Sequence, residues 1–202
     1  MAGKRGDRQG GGGVGRGSAP GRVRVIGGSL RGSRIEVPAV DGLRPTPDRI
    51  RETLFNWLAP VIDGSRCLDL YAGTGALGLE AASRGAREVV LVERDRRAAD
   101  ALRGNVERLK ADACRVLESD AMAFLAGPPR PFDVAFVDPP FAADAWADAV
   151  QALERGWLAP QALIYLESPA DVAPAVPASW LAWRELRAGA VRAALYRRAP
   201  AP

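Results

Sequence analysis

The sequence predicts an α/β fold, a doubly wound and mostly parallel Rossmann-like sheet of about seven strands. Three observations predict it. Beyond residue 60, short apolar segments alternate with helix-length segments, the pattern of parallel strands covered on both faces. The first of these segments runs into a glycine-rich loop that opens a helix. The last two segments, joined through Gly189, alternate in the manner of an antiparallel hairpin closing one edge.

Residues 1–20 hold a four-glycine run, scattered arginines and almost nothing apolar, so a disordered tail is expected there. Arg22–Ile26 and Ser33–Val37 then alternate as short strands about the turn residues Gly27, Gly28 and Gly32. Thr46 as N-cap, Pro47 at the first helical position and Asp48 in the first turn mark a helix start. Ile50, Leu54, Trp57 and Leu58 give that helix an apolar face, and Pro60 ends it. Residues 21–60 therefore form a basic hairpin-and-helix extension ahead of a main domain over 61–202. In that domain the strands are Cys67–Tyr71, Val89–Glu93, Ala113–Leu117, Val134–Val137 and Leu163–Glu167. Helices fall at Gly75–Arg84, Arg96–Lys110, Ala121–Ala126 and Ala143–Arg155, and the edge hairpin pairs Trp183–Leu186 with Val191–Tyr196.

Composition narrows the chemistry. The chain of 202 residues has no histidine, which removes His-based triads, His general bases and most catalytic zinc sites. Cys67 and Cys114 lie far apart in apolar surroundings, as free thiols rather than a disulfide or a metal site. No apolar run approaches the roughly 20 residues of a membrane span, and the N-terminus lacks the apolar core of a secretory signal. A cytoplasmic, monomeric protein without metal is the expectation. Residues 1–51 hold eleven Lys/Arg against four Asp/Glu, whereas the remainder carries a small negative excess. A polyanionic partner at one end follows from that asymmetry.

The candidate site begins with Asp69-Leu-Tyr71-Ala-Gly73-Thr74-Gly75-Ala-Leu-Gly78. Glycines let the chain turn sharply from strand to helix and let a ligand approach the backbone N–H groups. Gly73, Gly75 and Gly78 also fit the dinucleotide fingerprint, so an NAD-linked oxidoreductase is one reading. Asp69 favours another. A carboxylate there suits the ammonium and sulfonium of S-adenosylmethionine and repels a pyrophosphate. Glu93, ending the second strand, can accept ribose hydroxyls, with Arg94 following it; Asp120 and Ala121, after the third, can meet an adenine. Asp120 reads equally well as the N-cap of a helix.

The fourth strand ends in Asp138-Pro139-Pro140-Phe141, at the strand ends where ligands of open α/β sheets bind. An aromatic amine is a poor nucleophile because its lone pair is delocalised. Two acceptors, the Asp138 carboxylate and the Pro139 carbonyl, can hold its two N–H groups, while Pro140 stiffens the turn and Phe141 offers a stacking surface. Guanine N2 and adenine N6 suit this arrangement alike.

The glycine loop and Asp138-Pro-Pro-Phe141 together resemble class I methyltransferases. With Arg24-Val-Ile-Gly-Gly-Ser-Leu-Arg-Gly-Ser-Arg34 and Leu43-Arg-Pro-Thr-Pro-Asp-Arg-Ile-Arg-Glu-Thr-Leu-Phe-Asn-Trp57, the sequence resembles the bacterial 16S ribosomal RNA guanine-N2 methyltransferases of the RsmD family. The resemblance implies methyl transfer from S-adenosylmethionine to one guanine of small-subunit ribosomal RNA, within an assembling 30S particle. It implies RNA contacts from Arg24, Arg31, Arg44 and Arg49 of the basic extension. Adenine-N6 methylation of DNA or RNA is the alternative chemistry, and an RNA-binding assembly factor without catalysis is the alternative role.

Overall fold

The computed structural model describes residues 21–38, 40, 46–140 and 146–199. The expected tail lies outside them. A small hairpin pairs β1 (Gly21–Arg24) with β2 (Arg34–Val37) and is followed by α1 (Asp48–Leu58). The chain then alternates through β3 (Arg66–Asp69), α2 (Ala76–Ser83), β4 (Glu88–Glu93), α3 (Arg96–Leu109), β5 (Cys114–Glu118), α4 (Ala121–Leu125), β6 (Phe132–Val137) and α5 (Trp146–Leu153). Three longer strands end it: β7 (Leu158–Pro169), β8 (Trp180–Ala188) and β9 (Val191–Arg198).

The main sheet has seven strands in the order β5-β4-β3-β6-β7-β9-β8. The five from β5 to β7 are parallel, and β9 is antiparallel to both β7 and β8. From β3 the chain winds outward through β4 and β5, then returns to β6 on the other side. The reversal opens a crevice at the carboxyl ends of β3 and β6.

Alternation along each strand divides the core. Leu68, Val90, Ala135, Val137, Ile164 and Leu166 face α4 and α5. Cys67, Val89, Leu91, Val134, Phe136 and Tyr165 face the opposite side, with Ile50, Leu54, Phe55 and Leu58 of α1 and Leu77 and Leu102 of α2 and α3. Helix α1 thus belongs to the core of the large sheet. Asp95 caps α3 by accepting from Ala98 N at 2.9 Å, as its position in the sequence suggests. At α1 the cap differs from expectation. Pro47 is the N-cap residue, and Thr46 is buried one position earlier.

The β1–β2 hairpin packs Val23, Val25, Ile35 and Val37 on Ala76 and Leu79 of α2. Polar clasps fix its position. Asn105 of α3 accepts from Glu36 N and donates to Glu36 O, at 3.0 and 2.8 Å. Glu80 of α2, fully buried, accepts from Ile26 N and Gly27 N at 2.7 and 2.8 Å. The buried Arg51 guanidinium lies 3.6 Å from Glu80, and it donates to the Arg24 carbonyl and to Asp48. Among the described residues, no helix is long and apolar enough to cross a membrane, and no metal-ligating cluster occurs. Both cysteines are free thiols.

Candidate active site

The crevice is built from strand ends. At the end of β3, Asp69 is 2% exposed, and Gly78 N donates to its Oδ2 at 3.0 Å. The loop between β3 and α2 takes left-handed backbone at Gly73 (φ 52°) and Gly75 (φ 77°). A side chain at Gly78 would strike Leu91, so α2 lies directly against the sheet and brings its N-terminal turn to Asp69. Most of the loop's donors are already used. Gly73 N donates to Glu93 Oε2 at 2.8 Å, Gly75 N to the Ala72 carbonyl at 2.7 Å, and Ala76 N to Thr74 Oγ1 at 3.3 Å. A pyrophosphate needs those N–H groups free. The dinucleotide reading of the glycine pattern therefore loses its main support.

Carboxyl groups line the rest of the crevice. Glu93, ending β4, accepts from Gly73 N through Oε2 and from Asp95 N through Oε1, which fixes its orientation. Asp138 follows β6 and is partly exposed. No donor to its carboxyl occurs among the described residues, in contrast to Asp69 and Glu93. On β7, Glu167 is buried and accepts from the Tyr165 hydroxyl at 2.8 Å and from Thr46. Burial pushes Asp69 up to about 7, with Gly78 N opposing and the Glu93 charge adding to the shift. Burial also holds Asp138 well above the usual carboxylate range, helped by the charges of Glu167 and Asp69. Carboxyls raised by burial, with no cation among the causes acting on Asp69, Asp138 or Glu167, fit a cationic ligand and disfavour a phosphate. The ammonium and sulfonium of S-adenosylmethionine meet that requirement.

The comparisons with known proteins agree on one family. A family model described as conserved hypothetical protein 95 matches residues 23–197. Ribosomal RNA small subunit methyltransferase D of Escherichia coli K12 is 51% identical over 183 residues, covering 90% of this chain and 92% of the relative. The chain belongs to the ribosomal RNA small subunit methyltransferase D family. The Haemophilus influenzae member is 42% identical over 184 residues, covering 89% of this chain and 95% of the relative. The solved structure of the Escherichia coli yhhF protein superposes with a TM-score of 0.83 at 50% identity, covering 90% of this chain and all of that one. The fold is that of class I methyltransferases, and the protein is a methyltransferase.

Within this methyltransferase D family member, the structure brings most of the expected site residues to one crevice. Asp69, Gly73, Thr74, Gly75 and Glu93 sit together around the glycine loop. Tyr71 is half-buried; burial raises its hydroxyl to about 12, aided by the Asp120 charge and opposed by Arg94. Asp120 is the N-cap of α4, its Oδ1 accepting from Met122 N and Ala123 N, and Ala121 is buried beside it. Pro139 is buried and Pro140 exposed. Arg24, Arg31 and Arg49 are exposed, and the first two line a cleft of about 300 Å³ with Asp48 and Glu52. Phe141 and Arg44 lie outside the described residues. Two residues of the crevice carry no site role in the sequence reading. Glu167 was visible only as the end of a strand, and Thr46 only as a helix cap.

Proposed function

We propose that the chain transfers the methyl group of S-adenosylmethionine to the exocyclic N2 amine of a guanine in small-subunit ribosomal RNA. The observation that carries this reading is Asp138, a crevice carboxyl without an internal donor, one strand from the glycine loop. The names of the family members support the RNA substrate. S-adenosylmethionine supplies an electrophilic methyl group on a positively charged sulfur. Asp69 holds the cofactor's ammonium, Glu93 its ribose hydroxyls, and the free Asp120 Oδ2 its adenine amine, beside Tyr71 and Ala121. The Asp138 carboxylate and the Pro139 carbonyl accept the two N–H groups of the guanine amine. These bonds favour a pyramidal nitrogen and aim its lone pair at the methyl carbon; catalysis is chiefly positioning and electrostatics. Pro140 keeps the turn rigid and Phe141 stacks on the base. Arg24, Arg31, Arg44 and Arg49 engage RNA phosphates, with the 1–20 tail ahead of them. The protein works as a cytoplasmic monomer on an assembling 30S particle.

The test is methyl transfer from radiolabelled S-adenosylmethionine to undermodified small subunits, followed by nucleoside analysis. The parent chain labels N2-methylguanosine, and Asp138→Ala lowers the rate by about a hundredfold or more while still binding cofactor. Label in N6-methyladenosine would move the reading to adenine. Cofactor binding without transfer to any nucleic acid would favour an assembly factor.

A further inference from the structure

Glu167 is a buried carboxyl that the methyl-transfer chemistry, as described, does not use. Its place follows from strand register. Val137 of β6 pairs with Leu166 of β7, so the next residues, Asp138 just past β6 and Glu167 within β7, stand at the same level on adjacent parallel strands. Asp69 pairs with Phe136 and therefore stands two residues below Asp138 on the neighbouring strand. All three project to the α1 side of the sheet, the side of Phe136 and Tyr165.

Burial raises Glu167 above the usual carboxylate range, and two donors oppose that shift by favouring its charged form. The Tyr165 hydroxyl, itself buried, donates to Oε2 at 2.8 Å, and Thr46 donates from the entry to α1. The Glu167 main chain is fixed as well, since its carbonyl accepts from Trp146 Nε1 at 2.9 Å. Asp138 has no donor among the described residues. The charge of the pair therefore resides on Glu167, and a proton entering it goes to Asp138.

We propose that Glu167 is a positioning residue for methyl transfer, a fixed buried charge beside Asp138 that makes Asp138 the acceptor of the proton released by the methylated amine. The inference rests on the methyl-transfer reading. As nitrogen takes the methyl group, the methyl–sulfur bond breaks and its electron pair stays on sulfur. The nitrogen then carries one proton too many, and that proton passes to an Asp138 oxygen. Glu167 keeps its charge throughout. The groups facing Asp138 are Glu167 and Tyr165 of β7 and Asp69 of β3; those facing Glu167 are Tyr165, Thr46 and Asp138. None is a cation, so nothing in this set offsets the effect of Glu167.

The experiment follows side-chain carboxyl carbons by NMR across pH in the full chain. In the parent, Asp138 and Glu167 titrate in two shared steps, the mark of a coupled pair. In Glu167→Gln the Asp138 midpoint falls by about one unit or more, and Glu167→Asp restores most of it. Independent single-step curves in the parent overturn the proposal whether or not the variants fold. In transfer assays on small subunits, the acid limb of the kcat profile moves down with the Asp138 midpoint in Glu167→Gln, while KM for the cofactor stays within about twofold. An unmoved limb in an active variant overturns it too. A parent that methylates no nucleic acid defeats the function reading instead, and the carboxyl titration still judges the pair.

Discussion

Asp69 is the residue whose environment makes the sharpest demand on a ligand. Its carboxyl is buried, receives one backbone N–H, and is raised to about 7. Between about pH 4 and 7 the folded chain keeps a proton that the unfolded chain has released, so rising pH costs stability across that window. A bound ammonium reverses the preference by favouring the ionised carboxylate. Affinity for S-adenosylmethionine should accordingly rise by about tenfold or more from pH 5.5 to 7.5. Titration calorimetry of the parent and Asp69→Asn checks this; the same slope in both would remove Asp69 from the cofactor site. Asp69 and Asp138 were legible in the sequence because each ends an apolar strand next to a glycine or proline turn. Glu167 also ends an apolar stretch, but Ser168-Pro169 after it form no chemical motif with it, and its place beside Asp138 comes from pairing with a strand 29 residues earlier. Only the register of the sheet reveals that.

Among the elements, the strand–helix alternation of the main sheet was legible throughout, since apolar periodicity is local. Boundaries moved where tertiary geometry decided them. Strand β7 starts at Leu158, not at Leu163, with a left-handed residue at Gln161 and a shift of register against β6 on the way. Helix α1 hid its chief polar contact. Arg51 falls on the buried face, fully enclosed, where a charge pattern alone reads as solvated surface. Its acid partner, Glu80, lies in a helix of otherwise small and apolar residues. This cluster joins α1, α2 and the chain after β1, because Glu80 also accepts from Ile26 N, Gly27 N and Arg84 Nε. Glu80→Ala would leave two N–H groups and Arg84 Nε without their acceptor and remove a carboxylate facing the buried Arg51 guanidinium. Such losses cost about 3–5 kcal/mol. Chemical denaturation should show that loss, and amide exchange at Ile26 and Gly27 should accelerate before that of β3. Uniform acceleration along the chain would mean that the cluster supports the whole core rather than the docking of the hairpin.

For the molecule as a whole, the division of charge has a structural counterpart. The described part of the basic section is the hairpin and the start of α1, while the crevice beside it is lined by Asp69, Glu93, Asp138 and Glu167. On the proposed function, a nucleic acid would be attracted to the first surface and repelled by the second. The polyanion therefore has reason to dock on the extension and send only one base into the crevice. Thr46 ties the two regions together, standing at the entry to α1 and donating to Glu167. The arrangement predicts that Arg24, Arg31 and Arg49 supply affinity without touching the chemistry. Replacing all three by alanine should weaken RNA binding and reduce the slope of log affinity against log salt by about 2 to 3. The cofactor affinity should stay unchanged. Filter binding over a salt series measures the slope directly. If the slope does not change, the RNA track lies elsewhere. The β8–β9 hairpin then becomes the next surface to test, because Arg184 and Arg197 stand over the Trp183 ring at 5.4 and 4.6 Å.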